Sequence, residues 1–288
     1  MTDLTTTHSV DIGRTTVVKH YRSWDRGEPE REWRTLTLLA RYAPGLAPAP
    51  LERTPDPPTV TMERLPGDPL RGTAVAPGLL PPLAAAVTRF QEAVPRAELE
   101  ALPPRLWAPG DILAGVRDKC ATALAEQSGR TAGSGRGSGA GPEPPDDREA
   151  ALAAGARWVR NPALDALVAG EPAAPVLGFA DGNLANYLWD GSRIRLVDFE
   201  SSGRADRIQE LAEIAEHVSV WVDSSLDADA LLGHFPLTRP ERARLRDLRR
   251  LAALMWLLML DGDSRTPRPR NPPGTVARQA ERLLGLLG

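Results

Sequence analysis

Residues 14–22, RTTVVKHYR, are β-branched and extended in character and follow the turn-like Asp11-Ile12-Gly13, which predicts the returning arm of a hairpin. Residues 28–42, EPEREWRTLTLLARY, set Trp33, Leu36, Leu39 and Ala40 at helical spacing between Pro29 and Pro44, which predicts an amphipathic helix. Thr59 to Arg64 reads as a short strand that stops at Leu65-Pro66-Gly67. From Leu79 onward the periodicity is helical, over 79–94, 111–127, 149–159, 206–222, 240–261 and 275–287. The expected architecture is therefore α+β, with a small β-rich lobe carrying one helix (1–66) followed by a larger helical lobe (67–288). Ser128 to Asp147 holds no apolar side chain larger than alanine, so burial cannot repay its ordering entropy. It reads as a disordered insertion, with a mobile lid as the alternative.

Composition narrows the partners. The 288 residues are 42% apolar with 35 basic against 38 acidic side chains, enough for a sizeable core and too few net positive charges for a nucleic-acid or anionic-membrane surface. The longest apolar run, Leu251 to Leu260, is half the roughly 20 residues a membrane span needs. A single cysteine, Cys120, excludes a disulfide framework, and His8, His20, His217 and His234 make no metal-ligand spacing. With no signal-like pattern in MTDLTTTHSV, the expectation is a protein of the reducing cytoplasm.

The chemistry concentrates in Phe179 to Glu200, FADGNLANYLWDGSRIRLVDFE. Asp190-Gly191 between two apolar arms predicts a hairpin, whose returning strand delivers Asp198 beside Asn186. A carboxylate and an amide oxygen converging at one hairpin end suit a hard cation such as Mg²⁺, and Asp181 just upstream could accept a proton from an attacking hydroxyl.

Asp181-x-x-x-x-Asn186 followed by Asp198-Phe199-Glu200 resembles the catalytic and metal loops of the aminoglycoside phosphotransferases, a small-molecule branch of the protein-kinase-like fold. Three upstream stretches extend the resemblance: Thr-Val-Val-Lys19-His-Tyr, the helix around Glu32, and Thr61 to Leu70, which is similar to the hinge between lobes. The resemblance implies a bilobal fold with a reduced N-terminal lobe and transfer of the γ-phosphoryl of ATP to a hydroxyl of a small molecule. It gives Lys19 to the α and β phosphates, Glu32 to an ion pair with Lys19 (Glu30 lying nearby as a competitor), and Met62, Glu63 and Leu65 to the adenine. It gives Asp181 the role of base, and Asn186 and Asp198 those of Mg²⁺ ligands.

The chain departs from the family pattern at Phe179, where histidine is common, at Ala180, where glycine is usual, and in having only 18 residues with one glycine before Lys19. The short start and Phe179 support a competing reading, a nucleotide-binding pseudokinase; a third is a kinase of a peptide serine or threonine, since acceptor pockets lie in the divergent helical lobe. Asp206 reads as a helix N-cap. Glu210, Glu213, Glu216 and Asp223 read as a solvated acidic face, or as a pocket for a polycationic acceptor.

Overall fold

A computed structural model describes residues 8–22, 26–133, 147–169 and 175–288. In chain order its strands are β1 (His8–Ile12), β2 (Thr16–Tyr21), β3 (Pro50–Pro55), β4 (Pro58–Glu63), β5 (Asp68–Pro69), β6 (Pro175–Gly178), β7 (Tyr187–Trp189), β8 (Ile194–Leu196) and β9 (Gly203–Asp206). The helices are α1 (Glu28–Tyr42), α2 (Leu80–Gln91), α3 (Arg96–Glu100), α4 (Pro109–Gly133), α5 (Asp147–Val159), α6 (Ala163–Val168), α7 (Arg207–Glu216), α8 (Ala228–Leu232), α9 (Arg239–Ser264) and α10 (Thr275–Leu287).

The chain divides into two compact units. One comprises residues 1–106, 172–215 and 219–236, and the other residues 107–171, 216–218 and 237–288. In the first, an antiparallel sheet has the order β1-β2-β4-β3, with Lys19 opposite both Val10 and Val60. Because successive side chains alternate across a strand, Lys19 shares its face with Tyr21, Val60 and Met62, all buried, whereas His20 turns outward to Asp11. α1 packs on β3 and β4 through a stripe of Glu28, Glu32, Thr35, Leu36 and Leu39. The helical period thus puts one carboxylate, Glu32, on the same inner face that receives Lys19.

β3 was not legible in the hydrophobic pattern: PLERTP is mostly exposed and sits at the sheet edge, where prolines are tolerated and no apolar alternation is needed. Short strands β6 and β9 pair antiparallel, β6 leading directly into Phe179, and β7 and β8 form the hairpin around Asp190-Gly191. The helix expected over 206–222 ends at Glu216 and gives way to a 3-10 turn at Val218–Val220, where β-branched residues disfavour continued helix.

The second unit is helical, with α4, α5, α9 and α10 packed on one another and α6 on α4. A Cβ at Gly155 would lie 2.6 Å from a Leu254 methyl, so glycine there lets α5 and α9 approach closely. α4 runs on to Gly133, so residues 128–133 of the stretch expected to be disordered are helical; no proline intervenes before Pro142 to stop them. Residues 134–146 of that stretch lie outside the described residues, and Asp147 opens α5. Among the described residues no helix is long and apolar enough to cross a membrane.

An aromatic cluster ties the first unit together. Phe90 of α2 lies 5.5 Å from Phe179 and 5.6 Å from Phe199 between ring centroids, and Phe179 also meets Tyr187 edge-on at 5.6 Å. Phe90→Ala is expected to cost about 3–5 kcal/mol in urea unfolding, since it removes a buried ring shared by both loops. A loss under about 1 kcal/mol would show that the cluster is not a core element.

Candidate active site

Lys19 and Glu32 are both buried, and the Lys19 ammonium lies 3.0 Å from Glu32 Oε2, 2.7 Å from Asp198 Oδ1 and 3.4 Å from Glu200 Oε2. Burial alone would depress the lysine, but Asp198, Glu32 and Glu200 outweigh it and hold the ammonium well above its ordinary value. Glu32 Oε2 also accepts the Phe199 amide at 2.7 Å. Burial pushes the Glu32 carboxyl up, against the pull of Lys19. Glu30, the competitor in sequence, faces solvent and pairs with Arg53.

β6 feeds directly into the second part of the site. Asp181 Oδ1 accepts the Asn183 amide at 2.8 Å, and Oδ2 accepts the Asn186 side-chain amide at 2.9 Å. With its nitrogen so engaged, Asn186 has its amide oxygen to offer a cation. The hairpin register carries the chain back as expected: the Val197 amide donates to the Asn186 carbonyl at 3.1 Å, and Asp198 follows in a left-handed conformation, φ 76°. Gly182 lets this loop settle on α7, where a Cβ would come 2.5 Å from the Glu213 carbonyl oxygen.

The remaining candidates lie in or near the sheet. Met62 is buried, Glu63 donates its amide to the Ala49 carbonyl at 2.9 Å, and Leu65 is buried just beyond β4. Asp206 Oδ1 accepts the Ile208 amide at 2.8 Å at the start of α7, in keeping with a cap.

Several neighbours carried no assigned role in the sequence. Glu200 completes the set of carboxylates around Lys19 and meets His8 Nδ1 at 2.8 Å; its place beside Asp198-Phe199 was the only signal for it. Arg105 had no signal at all. Of the four acids read as a solvated face or a polycation pocket, Glu210 and Glu216 are buried, Glu213 is largely buried and only Asp223 is exposed, and each pairs with arginine: Glu210 and Glu213 with Arg105, Glu216 with Arg249 and Arg282, and Asp223 with Arg71. All of these arginines come from segments remote in sequence, which helix periodicity cannot reveal.

Asp181 also carries an unusual charge state. Burial first, then the charge of Asp198, pushes its carboxyl from near 4 up to about 7, although the Asn183 and Asn186 hydrogen bonds oppose the rise. Between those values the folded protein holds a proton that the unfolded chain has lost, so Asp181 costs stability increasingly as pH rises from about 4 to 7. Asp181→Asn removes that charge. Its change in Tm relative to wild type, measured without nucleotide and in EDTA, is expected to be more favourable at pH 8 than at pH 5; an equal difference at the two values would contradict the assigned shift.

Comparison with known proteins fits this geometry. No curated protein is significantly similar in sequence. Among solved structures, a choline/ethanolamine kinase family protein from Mesorhizobium loti superposes with a TM-score of 0.60 at 17% identity, covering 98% of this chain and 85% of that one. Spectinomycin phosphotransferase APH(9)-Ia, in complex with ADP and spectinomycin, gives 0.61 at 12% identity over 99% and 89%. Choline kinase LicA from Streptococcus pneumoniae gives 0.58 at 14% identity over 100% and 91%. At these identities the likeness shows the fold, which is the protein-kinase-like one. The sequence pattern of the phosphotransferase enzyme family (APH) matches residues 5–248, most of the chain. The chain thus belongs to the phosphotransferase enzyme family, whose kinases act on hydroxyl groups.

Proposed function

We propose that this phosphotransferase moves the γ-phosphoryl group of ATP to a hydroxyl of a small molecule, with residues 1–66 as its nucleotide lobe. The observation that carries the reading is the continuity of the site: Glu32 holds Lys19, Lys19 meets Asp198, and the hairpin sets Asp198 next to the Asn186–Asp181 pair. Lys19 holds the α and β phosphates, and the hinge around Met62, Glu63 and Leu65 takes the adenine. Asp181 orients the acceptor hydroxyl and takes its proton as the new oxygen–phosphorus bond forms and the bond from the γ-phosphorus to the β–γ bridging oxygen breaks, with ADP as the leaving group.

The donor set fits a hard divalent cation, with an amide oxygen at Asn186 and carboxylate oxygens at Asp198 and Glu200. Bound there, Mg²⁺ supplies charge neutralisation at the phosphates. The protein-side work is positioning: Lys19 and Glu32 fix the phosphate end, and Asp181 aims the nucleophile.

The acceptor class follows the neighbours in part. Choline, ethanolamine and spectinomycin, named for them, form the first panel of alcohols to test. One observation favours a second reading, binding without turnover: the β1–β2 turn offers Gly13 as the sole glycine before Lys19 among the described residues.

MgATP at about 100 times its dissociation constant is expected to stabilise the protein by roughly 2.7 kcal/mol, an effect that EDTA diminishes. Asp181→Asn should keep MgATP binding near wild type while lowering transfer by about 100- to 10,000-fold, whereas Asp198→Ala should lose both. Transfer by Asp181→Asn at the wild-type rate would sink the base assignment, and MgATP binding with no transfer to any alcohol would favour the binding module.

A further inference from the structure

Arg105 is buried among acids directly beneath the catalytic loop, with a side-chain exposure of 2%. Its backbone is fixed beside β9, where its amide donates to the Arg204 carbonyl at 3.0 Å and the Arg204 amide to the Pro103 carbonyl at 2.9 Å. The guanidinium then forks. Nη1 reaches Glu210 Oε1 at 2.5 Å and Glu213 Oε2 at 2.7 Å, and Nη2 reaches Glu213 Oε1 at 2.7 Å.

The other oxygen of Glu210 acts on the loop. Oε2 accepts the Phe179 amide at 2.6 Å and the Ala180 amide at 3.2 Å. Ala180 has φ 63°, a left-handed conformation that a residue with a Cβ adopts only when its surroundings impose it, and Asp181 is next in the chain. Phe179 packs on aromatic rings and has no side-chain polar atom with which to hold the loop. Gly178 makes room for this arrangement, since a Cβ there would stand 2.8 Å from Glu210 Oε1.

A buried arginine between two carboxylates is an uneconomical way to gain stability, because desolvation offsets most of the attraction. What an apolar replacement could not do is hold a carboxylate oxygen at two backbone amides. We infer that Arg105 is a positioning residue for phosphoryl transfer: by fixing Glu210 against the Phe179 and Ala180 amides it holds the backbone that aims Asp181. This rests on the reading of Asp181 as the base. Lysine is not an equivalent, since a single ammonium cannot reproduce the planar fork that binds both acids.

The test compares wild type, Arg105→Lys, Asp181→Asn and the double variant, by amide hydrogen exchange and by MgATP turnover with water as acceptor. In Arg105→Lys the Phe179 and Ala180 amides are expected to exchange about tenfold faster or more, while the amides of β2 and β4 keep their protection. MgATP affinity should stay within about twofold, and turnover should fall by about 10- to 100-fold. Because the effect runs through Asp181, the same lysine substitution in the Asp181→Asn background should cost less than about threefold. Unchanged exchange at the two amides, faster exchange throughout the protein, or equal losses of turnover in both backgrounds would overturn the inference. Wild-type turnover by Asp181→Asn would instead remove the base assignment, leaving the exchange data to decide whether Arg105 holds the loop. Should Arg105→Lys not fold, Glu210→Gln, which keeps an acceptor oxygen but loses one of the two carboxylate charges that hold Arg105, is read by the same criteria.

Discussion

A lysine ammonium withdrawn from water must be surrounded by acceptors, and that requirement at Lys19 organises one side of the candidate site. Three carboxylates from separate stretches of chain meet it, Glu32 from α1 and Asp198 and Glu200 from the segment after β8. Meeting the lysine fixes the rotation of α1 on the sheet. It also fixes the path of residues 198–200, because Glu32 takes the Phe199 amide with the same oxygen that accepts from Lys19. Removing one member of such a set leaves its partners buried and uncompensated, which is far costlier than the net worth of the ion pair.

The second constraint is local strain. Ala180 and Asp198 both adopt left-handed backbone conformations, at φ 63° and 76°. Neither is glycine, so each conformation persists because neighbours dictate it. Around Ala180 the dictating groups are the Glu210 carboxylate below and the rings of Phe90, Tyr187 and Phe199 around Phe179. Around Asp198 they are the Lys19 ammonium and the hydrogen bond that the Phe199 amide, one residue on, donates to Glu32. Both strained positions thus lie at or next to candidate site residues, Asp198 itself and Ala180 beside Asp181.

The parts of this arrangement set by local rules were readable in the chain. Glu28–Tyr42 emerged as a helix with the bounds its prolines and spacing indicated, and Asp190-Gly191 turned between two apolar arms into the β7–β8 hairpin that sets Asp198 beside Asn186. Between Glu30 and Glu32 the choice follows from which face of α1 is buried, a matter of helical period. What escaped depends on contacts between distant segments. β3 lies on a sheet edge with no apolar alternation, β6 and β9 are four-residue strands whose pairing joins positions some 30 apart, and the partners of Glu210, Glu213 and Asp223 come from Arg105 and Arg71. Charge counting along α7 registered an acidic face because arginines remote in sequence leave no mark on a local pattern.

The central claim is that the Lys19 ammonium, held by Glu32 and facing Asp198, is the phosphate-binding charge of the nucleotide site. Calorimetric titration of MgATP into Lys19→Met tests it most directly, since methionine keeps an unbranched apolar stem and removes only the charge and its donors. With the variant shown to be folded by circular dichroism, the account predicts MgATP affinity weakened by about tenfold or more. An affinity equal to that of wild type in a folded Lys19→Met protein would contradict it.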